Sequence, residues 1–347
     1  MMSLIRTVIV DDSAFVRKSV REMLGRSPLI EVVGMARNGE DALELIAELK
    51  PDVVTCDLNM PELDGVGFVR AQMARKPIPI LILTASPQDA ELVLEALQAG
   101  AVDFVQKPTA LANDDLLAVR EELVRKVKEA AAAPPQSLLT PAPPPEIQAP
   151  AKSYPTAKKV DIVVLGISTG GPQALRYLLP QLPADFPVPL VMVLHIPVGY
   201  TALFAEKLAE LSKLPVQEAY EGCLVEPRQA LLAPAGQHLS FKRKPSGLVV
   251  VQLSSQPSDK PHRPSVDVLF QSAAEIYRGR TMGVVMTGMG DDGKQGAAWI
   301  KAQGGTILTE AEKSCVIYGM PRSVVEAGLS DAAVPLESMA EEIYKRL

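Results

Sequence analysis

Three aspartates, a threonine and a lysine in the first third of the chain have the makings of a phosphoryl-transfer site. Asp11 and Asp12 follow one apolar run, Asp57 follows a second, and Thr84 and Lys107 follow two more. Oxygen-only donors suit Mg²⁺, which keeps several waters and takes one or two carboxylates plus phosphate oxygens. Carboxylates held close together repel one another. A divalent cation relieves that repulsion and orients an incoming phosphoryl group. In such a site Lys107 neutralises charge on the transferred phosphate, and the Thr84 hydroxyl donates a hydrogen bond to it.

A different set of residues lies beyond position 160. Ser168 sits in Gly166-Ile-Ser-Thr-Gly170, which fits the G-x-S-x-G pattern of a nucleophile elbow. Glycines on both flanks permit a tight strand-to-helix turn, and a helix N-terminus offers free amides to an oxyanion. The same serine can also serve as an ordinary helix cap. A serine nucleophile needs a base, and the chain has three histidines. His195 follows the apolar run VPLVMVL, whereas His238 and His262 lie in loop-like surroundings. An orienting acid is available after TMGVVMTGMG, where Asp291 and Asp292 stand side by side. This gives the order Ser, His, Asp; the order Ser, Asp, His would need His238 or His262 instead. Strand-end placement favours His195, and composition does not choose between the two aspartates.

Both sets need a scaffold that collects strand ends. LIRTVIV, IEVVGMA, DVVTC, IPILIL and AVDFVQ alternate with stretches of helical periodicity, the pattern of βαβ units on a parallel sheet. Ligands on such sheets bind outside the carboxyl ends of the strands. DIVVLGI, VPLVMVL and TMGVVMT repeat that logic in the second half, so the fold class is α/β throughout. The 347 residues suggest two domains. Eight of the 30 prolines fall between 134 and 155, a stretch with few bulky apolar residues that favours an extended spacer over a core. The expected division is a first domain over 1–128, a Pro-rich linker over 129–158 and a hydrolytic domain over 159–347.

Composition excludes several classes. The net charge is −6, of which residues 1–128 carry −5, so no basic footprint for nucleic acid is present. Three scattered cysteines make no disulfide framework or metal motif and fit a reducing cytosol; Cys56, before Asp57 in an apolar run, reads as inert core, and Cys223 and Cys315 have no base nearby in sequence. No apolar run reaches the ~18 residues of a membrane span, and the N-terminus lacks a signal-peptide shape. The expectation is a cytoplasmic protein without membrane insertion. The G-x-G-x-x-G dinucleotide fingerprint is not met around Ser168.

VDDSAFVR, CDLNMPELDG, LTAS and DFVQKP resemble the signature segments of response-regulator receiver domains. The resemblance implies a flavodoxin-like domain with a five-stranded parallel sheet. It implies Asp57 as phosphoacceptor, and Mg²⁺ held by Asp12, Asp57 and the backbone carbonyl of Asn59, with Asp11 acting largely through water. Thr84 and Lys107 are then switch residues, and Phe104 the aromatic that changes rotamer. GISTGGP, HIPVGYTALFAEKL, PSVDVLF, TGMGDDG and SCVIYGMPRSV are similar to the catalytic domain of chemotaxis protein-glutamate methylesterases. That second resemblance implies a doubly wound, mostly parallel α/β domain needing no cofactor. It selects Ser168, His195 and Asp292 as the triad and the backbone amides of Thr169 and Met289 as oxyanion-hole donors. It also implies chemoreceptors as substrates, deamidation of receptor glutamines, a histidine kinase as phosphodonor, and an unphosphorylated receiver packed over the catalytic entrance. Two segments depart from the family pattern: Pro227-Arg228 replaces a Pro-Gly turn, and TEAEKS lacks the usual Gln-Asp before Glu. The alternative reading is a response regulator whose output domain binds receptor or kinase without catalysis.

Overall fold

The computed structural model describes residues 4–107, 113–133 and 160–347, and the chain divides into two units between Thr140 and Pro141. The proline-rich segment expected as a spacer lies outside the described residues, apart from its first few positions.

In the first unit the five apolar runs form β1 (Ile5–Val10), β2 (Ile30–Ala36), β3 (Val53–Asp57), β4 (Ile80–Thr84) and β5 (Asp103–Gln106). They make one parallel sheet in the order β2-β1-β3-β4-β5. Strands β3 and β4 are buried along their whole length, which is why they read as unbroken apolar runs rather than alternating ones. The connecting helices are α1 (Ala14–Leu24), α2 (Gly39–Leu49), α3 (Gly65–Arg75), α4 (Ala90–Ala99) and α5 (Asn113–Ala132). Ser13, Asn38 and Asp64 cap the first three, each accepting a first-turn amide. Helix α5 runs four residues past the expected end of the domain at 128. It is fastened to β5 by Lys126, whose ammonium reaches the Asp103 carboxylate at 3.0 Å and the Phe104 carbonyl at 2.7 Å.

In the second unit seven strands form one parallel sheet. These are β6 (Ile162–Ile167), β7 (Leu190–Leu194), β8 (Val216–Glu218), β9 (Ala230–Leu232), β12 (Thr281–Val285), β13 (Thr306–Glu310) and β14 (Ala332–Val334). Their order is β14-β13-β12-β6-β7-β9-β8. A separate antiparallel pair, β10 (His238–Arg243) and β11 (Val249–Ser254), packs its apolar residues into the same core. The helices are α6 (Gly171–Leu178), α7 (Thr201–Leu211), α8 (Val266–Tyr277), α9 (Lys294–Ala302), α10 (Met320–Glu326) and α11 (Leu336–Lys345). Val164, Val266, Phe270 and Ile300 stand in one buried cluster that ties α8 and α9 to the sheet.

Each sheet reverses its winding beside its first strand. In the first unit, β1 lies between β2 and β3; in the second, β6 lies between β7 and β12. Doubly wound sheets open a crevice at such a switch point, because the loops on either side diverge. Asp11 and Asp57 flank one crevice, and Ser168, His195 and Asp292 flank the other.

Candidate functional site

Asp57 is the last residue of β3 and is almost fully buried. The ammonium of Lys107 lies 2.8 Å from its Oδ2 and 2.9 Å from Oδ2 of Asp11, bridging the two carboxylates. Burial pushes the Asp57 carboxyl above its ordinary range, although Lys107 opposes the shift and Asp11 adds to it. Burial alone would lower the pKa of Lys107; the hydrogen bonds it donates to Asp57 and Asp11 outweigh this, and the net direction is upward. Asp12 is exposed at the mouth, and one oxygen each from Asp11, Asp12 and Asp57 lie within 4.8 Å of one another. Three hard oxygen donors facing a single lysine leave excess negative charge, a donor set that fits Mg²⁺.

Thr84 ends β4 and is buried. Its hydroxyl donates to the Ser86 carbonyl at 3.2 Å or to Asp89 at 3.4 Å, so in this state it is turned to its own loop. Asn59 is exposed just beyond β3, and its side-chain amide donates to Asp89 at 3.3 Å. Phe104 is buried on β5, with the Lys126 ammonium 5.5 Å from its ring centre.

In the second unit Ser168 follows β6 directly, and His195 follows β7. The pairing of Ile167 with Leu194, and of His195 N–H with the Ile167 carbonyl at 3.1 Å, makes the two residues neighbours on adjacent strands. Gly170 takes φ +79°, a left-handed conformation that opens the turn from Ser168 into α6. Behind the serine runs the loop that leaves β12. Ser168 N–H donates to the Thr287 carbonyl at 2.9 Å, and a Cβ on Gly288 would stand only 2.7 Å from Ser168 Cβ. Only glycine lets the backbone come this close, and Met289 is the next residue of that loop. Thr169 is buried, with its carbonyl accepting from the Thr287 hydroxyl at 2.9 Å.

Of the two adjacent aspartates, Asp291 is exposed and pairs with Lys294 at 2.8 Å. Asp292 turns inward, where its Oδ2 lies 3.0 Å from His195 Nε2. A carboxylate only accepts, so Nε2 carries the proton and Nδ1 is left with the lone pair. Nδ1 is buried and has no hydrogen-bond partner among the described residues. A buried ring nitrogen left unpaired calls for an explanation, and proton transfer at this atom would supply one.

Sequence reasoning missed what holds Asp292. Its carboxylate accepts from the amides of Val266 at 2.8 Å and Asp267 at 2.9 Å, and from the Ser265 hydroxyl at 2.9 Å. It therefore caps the N-terminus of α8 from a distant part of the chain, where the helix dipole also favours an anion. Asp267 returns the favour, accepting from Gly293 and Gly296 at the start of α9. Burial alone would raise the Asp292 carboxyl; the His195 bond and the two amides reverse this and hold it well below the usual carboxylate range.

The other two histidines also converge here. His238, expected in a loop, begins β10 and is buried. Its Nδ1 accepts from Ser265 N–H at 3.2 Å and its Nε2 donates to the Pro257 carbonyl at 2.9 Å, so the ring is neutral and props up the residue that donates to Asp292. Burial lowers its pKa in keeping with that role. His262 stacks on His195, with ring centres 4.2 Å apart and planes 17° from parallel. All three cysteines are buried with free thiols pushed up by burial, which removes thiolate nucleophiles from consideration.

Residues 163–343 match the family model of the CheB methylesterase, and residues 7–119 match the response regulator receiver domain. The chain belongs to the CheB methylesterase family. A protein-glutamate methylesterase/protein-glutamine glutaminase from Myxococcus xanthus is 49% identical over 97% of this chain and 97% of its own length. A relative of the same description from Symbiobacterium thermophilum is 42% identical over 98% of this chain and 96% of its own length. The crystal structure of the Thermotoga maritima CheB methylesterase catalytic domain is 40% identical, with a TM-score of 0.53. It matches 55% of this chain and all of that one. Among family features, the departure at TEAEKS acquires a structural meaning. Glu310, where glutamine is usual, is fully buried and accepts from Thr287 N–H at 2.9 Å and the Ser314 hydroxyl at 3.0 Å. It thus steadies the loop that carries Gly288 and Met289. Burial pushes its carboxyl up to about 7.

Proposed function

We infer that this chain is a phosphorylation-regulated serine hydrolase that removes methyl esters from glutamate side chains of chemoreceptors, and that it also deamidates receptor glutamines. The observation that carries the reading is the pairing of His195 Nε2 with Asp292, which leaves a buried, unpaired Nδ1 beside the strand end that presents Ser168.

Ser168 Oγ attacks the ester carbonyl and its proton passes to His195 Nδ1. The tetrahedral oxyanion is received by the backbone amides of Thr169 and Met289; each such donor is typically worth ~3–4 kcal/mol. His195 returns the proton to the departing methoxide, giving methanol and an acyl-serine. A water, deprotonated by the same imidazole, then releases glutamate. Asp292 fixes the tautomer and stabilises the imidazolium in both halves. On a glutamine side chain the same steps release ammonia.

In the first unit Asp57 accepts the phosphoryl group from a histidine kinase. Asp11, Asp12, Asp57 and the Asn59 carbonyl would hold Mg²⁺, which when bound offsets the carboxylate charge and orients the phosphoryl donor. Lys107 then moves from carboxylate to phosphate, and Thr84 exchanges its loop partners for a phosphate oxygen, with Phe104 following. The unphosphorylated first unit restrains the hydrolytic one, and phosphorylation lifts that restraint. The protein acts in the cytoplasm; among the described residues no helix is long and apolar enough to cross a membrane.

Methanol release from a methylated chemoreceptor, with and without acetyl phosphate, tests the whole scheme. The wild-type chain is expected to turn over faster with the phosphodonor. Asp57→Asn should keep only the basal rate, and Ser168→Ala should release no methanol in either condition. A Ser168→Ala protein with native activity would overturn the assignment.

A further inference from the structure

We propose that His262 is a positioning residue for the base: its ring, stacked on His195, fixes the plane in which Nδ1 faces Ser168. The inference rests on the triad reading above and adds to it a residue that never meets the substrate.

Asp292 anchors His195 at one atom only. That bond sets the position of Nε2 but not the tilt of the ring about it, and Nδ1 has no partner of its own among the described residues to set it. Proton transfer requires alignment as well as proximity, and a small misplacement of a catalytic group can cost orders of magnitude in rate. A flat ring 4.2 Å away and nearly parallel supplies the missing restraint across the whole face of the imidazole. Hydrogen bonding from one side and packing from the other is how supporting residues hold a reactive histidine.

His262 is itself well placed to be stiff. It belongs to the connection between β11 and α8, whose last residue, Ser265, donates to Asp292. That connection is tied at two points to the start of β10 and the residues just before it. Gly236 N–H donates to the Arg263 carbonyl at 2.9 Å, and Ser265 N–H donates to His238 at 3.2 Å. One short segment therefore delivers both restraints on the base, the ring that stacks on it and the hydroxyl that steadies its acid.

The test is the second-order rate at which a fluorophosphonate modifies Ser168 in the full chain. His262→Ala should react about tenfold more slowly, a loss typical of misalignment without removal of a reacting group. His262→Phe, which keeps a flat ring but no titratable nitrogen, should stay within about twofold of wild type by the same reasoning. Steady-state methanol release should show the loss in kcat with KM unchanged. His262→Gln, polar and similar in reach but without a ring, should behave like His262→Ala and serves in its place should the alanine variant not fold. A ring-less variant that reacts at the wild-type rate, or a His262→Phe as slow as the ring-less variants, would overturn the proposal. Ser168→Ala runs alongside: if it still reacts, the triad reading itself falls; if it is inert while the ring-less variant is normal, only the stacking role falls.

Discussion

Asp57 and Asp292 are both buried beside a switch point of a doubly wound sheet, yet their carboxyls are driven in opposite directions. Asp57 accepts from the backbone of Leu58 at 2.7 Å and from that of Asn59, and shares Lys107 with the neighbouring Asp11. Burial wins there and its pKa rises. Asp292 takes two amides of a helix N-terminus, a hydroxyl and an imidazole, and its pKa falls. The same residue type on the same architectural feature is thus tuned for two tasks. A carboxylate crowded by its own kind is ready for a cation and a phosphoryl group. One saturated with donors stays ionised, as the proposed task of orienting a histidine requires. Glu310 stands between them, with two neutral donors, and its carboxyl settles near neutrality.

The contrast is open to three perturbations. The largest effect is expected from Asp292→Asn, which keeps the shape but removes the charge that selects the tautomer. Methanol release should fall by about 10⁴-fold. Phosphorylation of Asp57 by acetyl phosphate should proceed unchanged; a fall in both activities would mean that the two sites are not separately tuned.

Next comes Glu310→Gln. Glu310 binds a proton up to about pH 7 in the folded chain but only to its ordinary 4.5 when unfolded. Its folded pKa is raised, so its contribution to stability is complete below pH 4.5 and is lost as pH rises through 7. The difference amounts to roughly 3 kcal/mol. The glutamine variant has no such titration and should be the more stable protein at pH 8, with the gap closing by pH 4. Urea unfolding followed through Trp299, the only tryptophan in the chain, reads the unit that contains Glu310. Equal pH dependence in the two proteins would remove Glu310 from the comparison.

The smallest effect is expected from Ser265→Ala, which takes one of four donors from Asp292. A hydrogen bond to a charged group is worth about 1.5–3 kcal/mol, so a loss of at least about tenfold in kcat is expected. The acid limb of the pH–rate profile should move to higher pH as the carboxylate loses support. An unmoved acid limb would show that the two amides and the histidine suffice.

How far the chain could be read beforehand varied with the range of the interaction involved. The strands that end in Asp57, Thr84 and His195 announce themselves, because a buried parallel strand is an apolar run and its end is where polarity returns. Helix α5 runs past 128, the expected end of the domain, because nothing in the local pattern distinguishes residues 128 and 132; Lys126, through its bonds to β5, decides how the helix is held. His238 looked like a loop residue because its strand, HLSFKR, is short and only half apolar. Ser265 could have been noticed as a helix cap, standing just before the apolar run of α8. Its hydroxyl, however, serves Asp292 rather than its own helix, and no local pattern carries that information.

The sequence by itself determined which kinds of groups gather at the carboxyl edges of two parallel sheets, since periodicity and strand-end polarity are local properties of the chain. It also determined that two chemistries are present, through the oxygen-rich set before residue 110 and the serine, histidine and aspartate after 160. The resemblance already favoured Asp292 over Asp291, but only the tertiary structure shows the physical difference: one residue of rotation in a glycine loop sends one side chain to solvent and its neighbour to His195 and the start of α8. Only the tertiary structure assigned the nitrogens of His195 and assembled three histidines from 195, 238 and 262 around one acid. Those decisions depend on distances between segments tens of residues apart, and such distances are fixed when the core packs, not by the pattern of any one segment.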